Sequence, residues 1–174
     1  MWWHLFYNLD KTFAMVNTNH AELIKQLKEL ILKGNAHATT DDALENIPEK
    51  ILGVVPEHLP YSIWQIAEHI RITQADILDF SQNPDYKEMA WPAEYWPKEK
   101  APKDSAAWEH CIKQIKKDRQ DFVGLLEKDD ADLYTPFAWG DGQNLLREAL
   151  LVGDHNSYHT GEIIVLRRLL GHWK

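Results

Sequence analysis

Cysteine is nearly absent from this chain: Cys111 is the only one in 174 residues. A lone thiol excludes an internal disulfide and fits a reducing cytoplasm. Basic charge is also in short supply, with 19 Lys and Arg against 27 Asp and Glu and a net charge of −8. That balance argues against a general nucleic-acid binder, because phosphate contacts need a basic face. No run of 18 apolar residues is present, so no membrane span is expected. Strand alternation of any length is missing, and so is an internal repeat. Residues 1–14 lack the basic n-region and cleavage motif of a signal peptide. They are expected to be an N-terminal extension or an artefactual leader ahead of one domain over residues 15–174. Either Met15 is the functional start, or the leader is an arm that packs its aromatics on the body.

What the chain does contain is helix-forming periodicity, many aromatics and nine histidines. The spacing predicts a first helix over 19–33, capped by Asn19 with Glu22 in the reciprocal position and stopped by Gly34. A short helix is expected over Thr40–Glu45, with Pro48, Pro56 and Pro60 keeping the rest of 35–60 irregular. A second long helix should run from Ser62 to Ser81, its main stripe being Ile63, Ile66, Ala67, Ile70 and Ile77. His69 falls at the edge of that stripe, in line with Thr73, Asp76 and Phe80. Residues 82–103 are too aromatic for a flexible linker and read as a packed loop over the body. Ser105–Glu127 is the clearest amphipathic helix, and Cys111 on its apolar stripe reads as an inert packed thiol. The last helix should span Asn144–Leu170 and end at Gly171. Four long helices with packed connections predict an all-α bundle.

The chemistry concentrates in Asp154-His155-Asn156-Ser157-Tyr158-His159-Thr160-Gly161-Glu162. Helix positions i and i+4 share a face about 5–6 Å apart at Cβ, so the His155 and His159 rings can converge on one ion. Burying two imidazoles is costly unless each nitrogen finds a partner. A metal would satisfy both; a structural pair or a partly solvated face is the alternative. Zinc proteases share the His-x-x-x-His spacing but need Glu directly after the first histidine. Here that position is Asn156, which excludes them. His37, in the loop after the first helix, either reaches metal or substrate or is an ordinary loop histidine.

Ser62-Ile63-Trp64-Gln65-Ile66-Ala67-Glu68-His69-Ile70, the Trp91-Pro92 to Trp96-Pro97 loop, Gly140-Asp141-Gly142-Gln143 and the Asp154–Gly161 stretch together resemble the DinB-like (DNA-damage-inducible) superfamily. The resemblance covers roughly residues 19–172 and implies a DinB-like four-helix bundle with a divalent metal held by His69, His155 and His159. Many relatives have Gly-Gln where this chain has Gly161-Glu162. Glu162 could therefore orient a ligand imidazole, act as a catalytic base, close the site as a fourth ligand, or lie on the surface beside an arginine. Glu68 and Asp154 point to other faces and read as structural.

Characterised members of the superfamily include transferases and isomerases that use bacillithiol or mycothiol. By resemblance, the expectation is a metal-dependent S-transferase or hydrolase, using zinc, nickel or iron, a small-molecule substrate and a low-molecular-weight thiol as co-substrate. Relatives often pair through bundle faces, so a homodimer is expected, in the cytoplasm. The alternative expectation is a stress-associated binding protein with a structural or vestigial metal site. Its pocket would be walled by Trp91, Tyr95, Trp96 and Trp139.

Overall fold

The computed structural model describes residues 19–173. The expectations for residues 1–14 and Met15 lie outside them. Among the described residues there are six helices and no strand. Helix α1 covers 19–33. It is followed by the short α2 (Thr40–Leu44) and α3 (Glu49–Leu52), then by α4 (Ile63–Gln82), α5 (Ser105–Leu126) and α6 (Leu145–Leu169). The expected all-α bundle is what forms, with two short helices beside the four long ones.

Local signals set most boundaries. Ser62 and Gln65 form a reciprocal capping box that starts α4. Asp104 caps α5 through the Ala107 N–H at 2.7 Å, and Asn144 caps α6 through the Arg147 N–H at 2.9 Å. Each such cap contributes about 1 kcal/mol. Two expectations need correction. Asn19 lies within α1 rather than capping it. The prolines do not keep 49–52 irregular, because Pro48 sits at the N-cap of α3, where its missing N–H costs nothing.

Helix α4 is central. Its N-terminal half packs with α2, α3, the start of α5 and the end of α6, around Ile63, Ile66, Ile70, Ile115 and Ile163. Its C-terminal half packs with α1, the end of α5 and the start of α6, around Leu27, Ile77, Phe122, Leu126 and Val152. Helices α4 and α6 are thus antiparallel. Burying each large aliphatic side chain contributes about 1.5–3 kcal/mol.

Polar contacts tie these packed regions together. Asn156 of α6 donates to Gln74 of α4 at 2.6 Å, and Gln74 donates to the Ile115 carbonyl of α5 at 3.0 Å. Thr40 and Thr160 hydroxyls pair at 2.9 Å, and Arg119, buried on α5, reaches Asp41 at 2.6 Å. These bonds tie α2 to the bundle. Cys111 is buried on α5, as expected, and burial pushes its thiol pKa well up, away from the reactive thiolate. No helix of the described residues is long and apolar enough to cross a membrane.

Candidate metal centre

One face of α4 points away from both cores. Gln65, His69, Asp76 and Phe80 recur on it at helical spacing, and this face holds the 83–104 connection. Gln65 donates to the Pro97 carbonyl at 3.4 Å, and the capping Ser62 donates to the Lys100 carbonyl. Asp76 accepts from the Tyr86 hydroxyl at 2.8 Å and the Tyr95 hydroxyl at 2.7 Å. Burial first, and Asp76 second, hold both phenols protonated. The Tyr86 pKa is pushed up to about 12 and that of Tyr95 is also raised. Phe80 meets the Tyr86 ring edge-on at 5.1 Å. The expectation of a packed aromatic loop therefore has a specific basis: the loop is bonded to a strip of α4.

His69 lies within this strip and is 3% exposed. Its Nδ1 is 2.8 Å from the Tyr95 carbonyl, which can only accept. The proton is thus on Nδ1, leaving the Nε2 lone pair turned toward α6. The ring stacks on Trp96 at 3.9 Å and 6°, and Trp96 stacks in turn on Tyr61 at 4.1 Å.

Across from it, α6 supplies His155 and His159. Their ring centroids are 4.4 Å apart, and each lies under 5 Å from the His69 ring, at 4.9 and 4.7 Å. His155 Nε2 lies 3.1 Å from His69 Nε2. His159 Nδ1 donates to Glu162 at 2.7 Å, which again leaves Nε2 as the free donor atom. One ligand atom from each of the three histidines lies within 4.8 Å of the others.

The donor chemistry fits a metal ion. Zn–N bonds of about 2.0–2.1 Å at a tetrahedral angle put ligand nitrogens about 3.3 Å apart, close to the 3.1 Å observed between His69 and His155. All three imidazoles are held neutral, as ligands must be. Burial is the main cause, lowering His69 and taking His155 to about 3 and His159 to about 4. The neighbouring rings add to the shift at His155 and His159, since a second cation there would be repelled. The Tyr95 carbonyl and Glu162 partly oppose the fall at His69. Burial raises the Glu162 carboxyl pKa, against a downward pull from the Tyr158 hydroxyl and His69. His155 Nδ1 and the Asn156 side-chain oxygen are buried without a hydrogen-bond partner among the described residues.

The cleft beside the three rings has a volume of about 370 Å³ and is lined further by Thr73, Trp91, Tyr95, Trp96 and Tyr158. Trp91 is 70% exposed, with its ring 6.5 Å from His69. Trp139, expected in this wall, is elsewhere. Its indole N–H donates to the Phe80 carbonyl at 2.8 Å, and its ring stacks on Phe137. His37 is also apart from the cluster, exposed and bonded to the Ala38 carbonyl. Glu68 forms a bidentate pair with Arg71 at 2.8–2.9 Å, as its structural reading requires.

The DinB superfamily pattern matches residues 35–163. The chain belongs to the DinB superfamily. No curated protein and no solved structure matches it. Superfamily membership and the three-histidine cluster together fit a metal-binding protein. The sequence put Asp76 in line with His69 and Trp96 in the pocket wall of this DinB-superfamily chain, but it missed the Tyr95 carbonyl and the Trp96 stack that hold the His69 ring.

Proposed function

We propose that the protein is a metal-dependent enzyme of S-transferase or hydrolase type acting on a small molecule. His69, His155 and His159 hold a divalent ion, and Glu162 handles a proton. The supporting observation is the convergence of three uncharged imidazoles beside a cleft walled by aromatic rings. Three imidazole donors suit zinc, nickel or iron about equally. An ion held by three protein donors keeps a position for substrate and supplies a Lewis acid there.

The chain's own residues do the remaining work. The Tyr95 carbonyl and the Glu162 carboxylate keep the His69 and His159 protons on Nδ1, so that Nε2 is available. The Trp91, Trp96 and Tyr158 rings line the cleft and give an apolar substrate its contact surface. Burial raises the Glu162 pKa toward the range a general base needs. In the transferase form a low-molecular-weight thiol gives its proton to Glu162 by way of the Tyr158 hydroxyl, which lines the cleft while the carboxylate itself lies behind His159. Its sulfur bonds an electrophilic carbon, and the leaving group departs with the bonding pair. In the hydrolase form water takes the place of the thiol. The reading carries a cytoplasmic setting and a homodimer. The exposed Tyr158, Val165 and Leu169 along α6 supply an apolar face for the pairing.

The test is elemental analysis of untagged protein, followed by turnover of 1-chloro-2,4-dinitrobenzene with bacillithiol or mycothiol and by an ester-hydrolysis panel. Stoichiometric metal with turnover by either route supports the enzyme. Absence of stoichiometric zinc, nickel or iron overturns it. The apolar cleft favours a second reading, a non-catalytic small-molecule-binding protein, which metal without turnover would select.

A further inference from the structure

The loop over the metal centre is closed at its neck by one side chain. Tyr86 and Tyr95 stand nine residues apart, and their hydroxyls meet on the two oxygens of Asp76, at 2.8 and 2.7 Å. Between them lies Trp91, whose ring is at the cleft mouth. Tyr95 then uses its backbone carbonyl to accept the His69 Nδ1 proton at 2.8 Å, and the next residue, Trp96, stacks on the His69 ring. Asp76 is two turns along α4 from His69 and touches none of the three histidines.

We propose that Asp76 is a positioning residue for the metal centre: by pinning Tyr95 it places the carbonyl that selects the ligating tautomer of His69. This rests on the metal-binding reading above, but its first consequence exists without metal. The hydroxyl of Tyr95 is anchored on α4 one turn beyond Thr73, and its carbonyl is thereby set opposite residue 69 on the same helix. Release of the hydroxyl frees the carbonyl to move. His69 then keeps at Nδ1 only the longer contact to the Thr73 hydroxyl, at 3.5 Å, in place of the 2.8 Å bond to the carbonyl. The neutral ring redistributes its proton between Nδ1 and Nε2, and the Nε2–H fraction cannot ligate.

The test uses the full chain with Asp76→Ala and with Tyr95→Phe, which keeps the ring and the Asp76–Tyr86 bond. Nitrogen-15 NMR of metal-free, histidine-labelled protein reads the His69 tautomer, and chelator competition reads the zinc dissociation constant. The wild type is expected to show a single Nδ1–H form. Both variants are expected to show a mixed tautomer and about tenfold weaker zinc binding, the lower end for loss of a ligand-orienting partner. The double variant should be no weaker than either single one, because both changes break the same link. If both variants keep the single Nδ1–H form, the proposal is overturned, whatever happens to zinc affinity. If the wild type binds no zinc, nickel or iron, the metal reading fails, and the tautomer measurement still decides the role of Asp76. If Asp76→Ala does not fold, the tautomer of Tyr95→Phe alone decides between the two outcomes.

Discussion

Replacing Glu162 by Gln removes one charge and retains an oxygen of the same reach. In the native protein the carboxylate accepts the His159 Nδ1 proton at 2.7 Å, while His159 itself stays neutral. The contact is thus a hydrogen bond to a charged acceptor, a class that contributes about 1.5–3 kcal/mol against about 1 kcal/mol for a neutral pair. The Glu162 side chain is 32% exposed, so solvent screens it and the smaller difference applies. The amide should therefore cost about 0.5 kcal/mol, or about twofold in zinc affinity. Glu162→Ala removes the acceptor altogether and should cost about tenfold or more. Competition against a chromophoric chelator at pH 7.5 measures both, with thermal melts of the metal-free proteins as a control on folding. The expected order of affinity is wild type, then Gln, then Ala. Three equal affinities would refute the claim that this carboxylate tunes His159.

Single replacement of His69, His155 or His159 by Ala should weaken zinc binding strongly in each case; unchanged affinity in any one removes that residue from the ligand set. Metal-free protein should lose stability in acid. The folded values near 3 for His155 and 4 for His159 lie below the ordinary 6.5, so the unfolded chain binds these protons first. Stability is then complete above about pH 6.5 and declines toward pH 4, by up to about 1.4 kcal/mol per pH unit for each ring. A melting temperature that is flat across this window in chelator-treated protein would contradict the burial argument. Leu126→Ala, at a 0% exposed position among the α5 core residues remote from the histidines, should cost about 2–5 kcal/mol. Calorimetry measures that loss, and zinc affinity should not follow it.

The long helices were legible because their signals are local. Ser62, Asp104 and Asn144 stand where caps are needed, and the apolar stripes recur at 3.6 residues without reference to the rest of the chain. The pairing of His155 with His159 is local in the same sense, since four residues of helix fix both rings on one side. Asn19 and Pro48 show the limit of such signals, because a capping residue can sit inside a helix and a proline can open one.

What periodicity could not decide is which side of α4 meets which side of α6, and so whether residue 69 reaches residue 155. Antiparallel packing of the two helices makes that choice and brings two imidazole nitrogens to 3.1 Å across 86 residues of chain. The partners of those rings are further still from sequence. The group that fixes His69 is a backbone carbonyl, which every residue carries. Only the path of the 83–104 loop, held by Asp76, Gln65 and Ser62, selects Tyr95 to present it. The same long-range packing sends Trp139 to Phe80 instead of to the metal cleft. Helix formation depends on neighbours in the chain, while the chemistry of this site depends on neighbours in space.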